Sequence, residues 1–361
     1  MKNIVTLDDV CKVKASKIIQ KSLINLKGIY PVYGATGFIK NVDFYEQDEE
    51  YIAIVKDGAG IGKTMLLPKK SSILSTMQYI LPKENIDIKY LYYAISYMDL
   101  RKYFTGATIP HIYFKDYKKE KLSLPNKQEQ RNIVSKLISI DKLIELKKQQ
   151  IIILNKLVSS LFIEMFGDPV KNPMNFKYEK LVDLGYLGRG VSKHRPRNDS
   201  KLLGGKYPLI QTGDIAKCDL FIQSYNTTYS EVGFKQSKIW KSGTLCITIA
   251  GNIAKTGILK FNSCFPDSIV GFISNDKVNN IYIHYWFSFF QKILEMQAPK
   301  SAQKNINLKI LGELKVMLPY IERQNQFAER VQQIDKSKLA IQQSLEKLEI
   351  LKKSLMQEYF S

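Results

Sequence analysis

The chain has 361 residues, 45% hydrophobic and 24% charged, enough for two or three domains with well-formed cores. Its 54 Lys and Arg against 34 Asp and Glu give a formal net charge of +20, more than solubility needs, and point to a polyanionic partner, DNA or RNA. Cys11, Cys218, Cys246 and Cys264 are far apart with no CxxC pair, which excludes a zinc ribbon and suits reduced thiols in a cytoplasmic protein; Met1 to Lys14 lacks the apolar core of a signal peptide, and no uninterrupted apolar run of membrane-spanning length occurs.

The positive charge is uneven. Residues 1–124 hold 19 basic and 13 acidic side chains and residues 166–318 hold 21 and 11, whereas 125–165 hold 7 and 4 and 319–361 hold 7 and 6. A lysine-rich genome would raise all four segments alike, so the two large segments are the expected nucleic-acid contacts.

In chain order, Tyr30-Pro31-Val32 and Thr36-Gly37 come first, then Tyr51 to Thr64, YIAIVKDGAGIGKT. This stretch reads as a strand, a glycine turn and a second strand. Gly58 to Thr64 imitates a phosphate-binding loop, but the place of its first glycine is held by Asp57, an anion where phosphate would lie. An ATP site is therefore not expected, and Lys63 is assigned to DNA phosphate instead. Thr108, His111 and Lys115 follow as weaker candidate contacts.

After Leu124-Pro125 a helix is expected, since proline is tolerated in the first turn and not deeper. Stepping alternately by four and three, its apolar positions are Ile133, Leu137, Ile140, Ile144, Ile151, Leu154 and Val158, broken by Lys147. That is a heptad seam of coiled-coil type.

The second large segment begins with Asn172-Pro173-Met174-Asn175-Phe176, a weak imitation of the loop that amino-methyltransferases use to hold a flipped base; no glycine-rich partner for a methyl donor accompanies it. Arg189, Lys193, His194, Arg195 and Arg197 form a basic cluster beside Gly188 and Gly190, able to meet phosphates or guanine edges, although such clusters are often only solvated loops. Lys255, like Lys63, is assigned to phosphate. Pro266-Asp267 could open a nuclease motif, yet the acid expected downstream is misplaced. His111, His194 and His284 have no metal spacing. Lys300, Gln303, Lys304 and Asn305 are a second polar and basic set.

The second half restates the first. Leu124-Pro125, Gln130, Ile133, Leu137 and Ile140-Asp141-Lys142 recur without a gap at Leu318-Pro319, Gln324, Phe327, Val331 and Ile334-Asp335-Lys336. Tyr30-Pro31-Val32 is echoed by Tyr207-Pro208-Leu209, and the Tyr51 to Thr64 run by Thr244 to Thr256, TLCITIAGNIAKT. The second seam is Phe327, Val331, Ile334, Ile341, Leu345 and Leu348, broken by Lys338. Two seams of matching length suit each other, and the lone lysines are expected to set their register.

On these features the sequence resembles the specificity (S) subunits of Type I restriction-modification systems. The resemblance covers nearly the whole chain. It rests on the alternation of globular segment and long helix and on local phrases: Thr6-Leu7-Asp8-Asp9-Val10, Gly106-Ala107-Thr108-Ile109-Pro110 with Asp116, Pro125 with Glu129-Gln130, and Leu161-Phe162 to Met165-Phe166-Gly167-Asp168-Pro169. The second copy departs at Arg323, in the place of Glu129, and at Ser301 to Ile306, in the place of the Ala-Thr-Ile-Pro phrase. The halves are therefore not expected to bind the same DNA word.

The resemblance implies two target-recognition domains, each reading one half of a bipartite site in double-stranded DNA, and helices that space them and dock two methyltransferase subunits. Restriction or translocase subunits could join. S-adenosylmethionine and ATP would be carried by those partners, with no cofactor on this chain and no membrane.

The expected fold is α+β with a pseudo-twofold internal repeat: recognition domains at 1–124 and 167–318, spacer helices at 125–166 and 319–361, and the helices paired as an antiparallel coiled coil. The expected role is non-catalytic sequence recognition. The rivals are an enzyme, either a P-loop ATPase or a self-contained DNA methyltransferase, and a coiled-coil scaffold whose globular parts bind protein.

Overall fold

The computed structural model describes residues 3–58, 60–106, 110–251, 253–290 and 306–361. The chain forms two compact units: Met1–Gln149 with Gln343–Ser361, and Gln150–Gln342.

In the first unit, Ile4–Thr6 (β1) pairs antiparallel with Lys121–Ser123 (β9). The phrase Thr6-Leu7-Asp8-Asp9 closes on itself here, because the Asp9 carboxylate accepts both the Thr6 N–H, at 2.8 Å, and the Thr6 hydroxyl, at 2.7 Å. The main sheet is antiparallel, in the order Cys11–Ala15 (β2), Met77–Pro82 (β8), Tyr51–Val55 (β5) and Thr64–Leu67 (β6). Strand β5 is buried at every residue, which explains its unbroken apolar run. A second sheet sets Tyr30–Gly34 (β3) between Gly37–Val42 (β4), antiparallel, and Ser72–Ile73 (β7), parallel. Helix Ile88–Tyr97 contributes Tyr90, Leu91 and Ala94 to the core with Ile52, Ile54 and Ile80.

The second unit repeats this plan. Lys177–Lys180 (β10) pairs antiparallel with Lys315–Leu318 (β20). Its main sheet runs Gly185–Arg189 (β11), Ile269–Ser274 (β19), Leu245–Thr248 (β16) and Thr256–Leu259 (β17), with Phe221–Ile222 (β13) added at the edge. The smaller sheet has Leu203–Leu209 (β12) between Thr227–Tyr229 (β14), antiparallel, and Ser263–Cys264 (β18), parallel, with Ile239–Trp240 (β15) beyond. Strand β12 thus stands to β14 and β18 as β3 does to β4 and β7.

Two helices of 40 residues each, Lys127–Phe166 and Ile321–Phe360, contribute residues to both units. The first begins at Lys127 rather than at Pro125, because Asn126 intervenes as a cap: its side-chain oxygen accepts the Glu129 N–H at 2.9 Å. Each helix is bound to its unit by a buried glutamine. Gln130 Oε1 accepts the Asp87 N–H at 2.7 Å, and its Nε2 donates to the carbonyls of Pro125 (2.8 Å) and Asn85 (3.4 Å). Gln324 does the same with the Asn279 N–H (2.9 Å) and the carbonyls of Pro319 (2.8 Å) and Lys277 (3.2 Å). Tyr90 and Tyr282 repeat the theme, their hydroxyls donating to Ser123 and Met317.

The helices pair antiparallel. Within the first unit, Lys136 meets Tyr359, Asp141 lies 2.6 Å from Lys352, and Lys148 lies 3.3 Å from Glu349, so one number rises as the other falls. Within the second unit, Phe162 and Phe166 both pack on Phe327. Along the seam, Ile133, Leu137, Ile140, Ile144, Phe327 and Val331 are buried, whereas Ile151, Leu154, Ile334, Ile341, Leu345 and Leu348 are half-buried. Over Ile133, Leu137, Phe327 and Val331 a globular core adds a third layer.

Lys338 does not mark the seam by facing the other helix. Its ammonium pairs at 2.8 Å with Asp219, on the globular part of its own unit. The first long helix also contains an 18-residue window of mean hydropathy 1.2, apolar enough by length and composition to cross a membrane, a property that a search for uninterrupted apolar runs does not register. Of its apolar side chains, Ile133, Val134 and Leu137 go into the first core and Val158, Leu161, Phe162, Met165 and Phe166 into the second, whereas Ile138, Leu143, Leu146, Ile152, Ile153, Leu157 and Ile163 are exposed.

Candidate nucleic-acid interface

The densest positive charge lies in the loop that follows β11. Lys193 and His194 donate their backbone N–H groups to one acceptor, Gln236 Oε1, at 2.6 and 2.7 Å. Arg197 donates to Asp267 Oδ1, Arg195 Nη2 lies 3.3 Å from Asp267 Oδ2, and Arg189 donates to the Asp267 backbone carbonyl. His194 Nε2 is 3.0 Å from Asp199, whose carboxyl is held below the usual range first by the Lys201 N–H and then by His194. The five basic residues read from the sequence as a cluster therefore share one surface. Arg195 and Arg197 remain about half exposed.

The ties of Gln236 and Asp267 to that loop are not legible in the sequence: each acts across some 40 or 70 residues of chain on a partner that no motif marks. Nearby in the chain, Lys238 lies 4.2 Å over the Trp240 ring and 4.9 Å over the exposed Tyr186 ring.

In the first unit, His111 Nδ1 lies 2.7 Å from Asp57 Oδ1, and the backbones of residues 57 and 111 form a bridge. Lys63, at the other end of the same turn, donates to the Ala35 carbonyl at 2.9 Å. Lys115 lies 5.4 Å over the Tyr113 ring. Lys255 occupies in the second unit the place of Lys63, with its backbone N–H on Thr248 Oγ1 at 3.0 Å. Thr108, Lys300, Gln303, Lys304 and Asn305, together with the phrases at 107–109 and 301–305, lie outside the described residues.

The phosphate-loop imitation is a hairpin. Strands β5 and β6 pair antiparallel, and Val55 exchanges backbone bonds with Gly62 and Lys63. Thr248 exchanges the same bonds with Ala254 and Lys255. Gly62 at φ +79° and Ala254 at φ +59° both take the left-handed conformation this turn requires. A phosphate-binding loop leads from a strand into a helix, whereas this one returns into the same sheet. The Asn172 imitation is likewise a turn: its side chain donates to the Phe176 carbonyl (2.7 Å) and accepts the Phe176 N–H (3.0 Å). His284 faces Thr256 Oγ1 at 2.9 Å, and burial pushes its imidazole down to about 4.

Residues 2–156 and 173–351 match the family described as the Type I restriction modification DNA specificity domain. The chain belongs to the Type I restriction-modification DNA specificity family. By that membership it is a specificity subunit and not an enzyme, and it is DNA-binding. Among its relatives, the Type I restriction enzyme MjaVIII specificity subunit of Methanocaldococcus jannaschii is 25% identical over 334 residues, which cover 86% of this chain and 78% of that protein.

Two solved structures share the fold. That of the Type-I restriction-modification system S subunit from M. genitalium aligns over 99% of this chain and 96% of its own, with a TM-score of 0.68 at 18% identity. A second, from work on complex assembly and conformational transition of the type I R-M system, gives 0.55 at 15% identity and covers 99% of this chain and 97% of its own. Both extend the likeness of this S subunit over two globular repeats and two long helices.

Proposed function

We propose that this chain selects a gapped, asymmetric site in double-stranded DNA, each repeated unit gripping one half, and brings two methyltransferase subunits to it. Restriction or translocase subunits join where the system has them. One observation carries the reading: the frame is duplicated down to the Gln130 and Gln324 hydrogen bonds, while the charged surfaces it presents differ. The second unit offers an arginine-rich loop on Asp267, and the first an Asp57–His111 pair. A shared scaffold with unlike surfaces suits the recognition of two different DNA words.

In this reading Lys63, His111, Lys115, Lys255 and the 189–197 loop meet DNA, and so do Thr108, Lys300, Gln303, Lys304 and Asn305. The long helices set the distance between the words and hold the methyltransferases. Recognition domains at 1–124 and 167–318 and spacer helices at 125–166 and 319–361 are the corresponding functional parts. S-adenosylmethionine and ATP act on the partner subunits, and the complex works in the cytoplasm, where chromosomal DNA is.

Methylome sequencing with the gene present and deleted tests the proposal. A bipartite methylated motif that vanishes on deletion is expected; a continuous palindrome contradicts the two-word reading. Lengthening both helices by a heptad should change the unread spacer and leave the words intact. Binding of a methyl donor, or ATP hydrolysis, by the chain alone would revive an enzymatic reading, and indifference to duplex DNA would favour a protein scaffold.

A further inference from the structure

Asp267 lies between β18 and β19, its side chain 28% exposed, and gathers the arginines of the neighbouring loop. Arg195 and Arg197 share its two carboxylate oxygens, and Arg189 takes its backbone carbonyl. Each guanidinium has five donors in a planar fork; Asp267 satisfies only part of either one, and Arg195 Nη1 also donates to the Ser192 and His194 carbonyls, at 2.6 and 2.9 Å, so Arg197 keeps more of its donors open. The donors left over are held in a fixed direction on a half-exposed surface.

We propose that Asp267 is a positioning residue for sequence discrimination: it orients Arg195 and Arg197 toward base edges in the half-site read by the second unit and weakens their grip on phosphate. The inference rests on the DNA-reading function proposed above. An arginine without a partner binds any phosphate, which adds affinity but no sequence information. One whose plane is fixed in advance loses little freedom when it meets a guanine edge, and it discriminates by direction.

Two features favour this role. A cavity of about 180 Å³ lies against Arg197, lined also by Gln211, Thr212 and Tyr229 and by Pro266 and Ser268, the chain neighbours of Asp267. It gives polar groups of a base edge a place beside the fork. The device also belongs to one unit. Val55 pairs with Met77 as Thr248 pairs with Ile269, which puts Ser75 of the first unit at the place of Asp267. A carboxylate needed for the shared fold would be expected in both copies.

The test measures binding of the full chain to three duplexes across a salt series: one bearing the methylated motif, one with the second unit's word scrambled, and one unrelated. For Asp267→Asn, binding to the unrelated duplex should rise about tenfold and its log–log salt slope should steepen by about one, as one added positive charge implies, while preference for the intact motif shrinks. Asp267→Glu should restore most of that preference.

Equal weakening on all three duplexes, an unchanged salt slope, or no change at all would overturn the proposal. Melting curves of the variants identify simple misfolding; if Asn misfolds, the Glu and Ala variants decide by the same salt slope. A wild-type chain with no preference among the duplexes would instead sink the DNA-reading function itself, and Arg195→Ala with Arg197→Ala separates the cases by removing the fork while Asp267 stays.

Discussion

Lys338 is almost completely buried, and its ammonium sits 2.8 Å from the Asp219 carboxylate, which is about half exposed. The unequal burial makes the two partners unequal in consequence. Asp219→Ala strands a cation away from water and should cost about 2 kcal/mol, whereas Lys338→Met leaves a carboxylate that water can reach and should cost under about 1 kcal/mol. Urea unfolding of the two variants checks the order; the reverse order would mean that the pair is not what holds Lys338.

The buried glutamines give a second expectation. Gln130→Leu removes the acceptor of the Asp87 N–H and the donor to the Pro125 carbonyl, and Gln324→Leu removes their counterparts at Asn279 and Pro319. Stranded buried backbone groups cost about 1–3 kcal/mol each. Both variants should therefore melt several degrees below the parent, and amide exchange should accelerate at Asp87 in one and at Asn279 in the other.

Substitutions in the repeated turn should have opposite signs. Ala254 holds φ +59° without glycine's freedom, so Ala254→Gly should stabilise by about 0.5–1 kcal/mol. At Gly62 an added Cβ would meet Arg101 and Leu100 only at 3.5 Å, ordinary contact, so Gly62→Ala should destabilise by about 1 kcal/mol through the backbone alone. Thermal unfolding of the two single variants decides it.

Acid should weaken the second unit in a definite window. His284 is pushed down to about 4 by burial, with Lys338 adding to the effect and Asp219 opposing it. The unfolded imidazole titrates near 6.5, so the unfolded chain takes up a proton that the folded one refuses. Stability should be full above about pH 6.5 and fall as pH drops toward 4. Denaturant titrations at pH 7.5 and 5 measure the loss, and His284→Gln should reduce it; an unaltered pH dependence in that variant would contradict the assignment.

The duplication and the long helices were legible because both are local and periodic: a heptad step from Ile133 to Val158, and the recurrence of Leu-Pro and Gln at fixed spacing. What the recurring Gln does was not legible, since two of its three backbone partners lie some 45 residues earlier. Lys338 read as a polar residue in a helical seam because periodicity reports the face of a helix and not which element lies opposite. Asp267 was weighed as a nuclease acid, and its arginine partners come together only through the pairing of β11 with β19. Side chains that match a period can be read in advance, whereas those whose meaning lies in a distant partner cannot.

The first compact unit is discontinuous, and this bears on how the protein is made. Tyr90 packs its ring 5.2 Å from that of Phe360, and Met356 shares the same core. A ribosome finishes the whole of residues 150–342 before it delivers that final helical stretch, so the part begun earliest is sealed last. Until then the nascent first half carries an open apolar wound, and translation that stalls late should yield a chain whose second half is protease-resistant while the first is still digested.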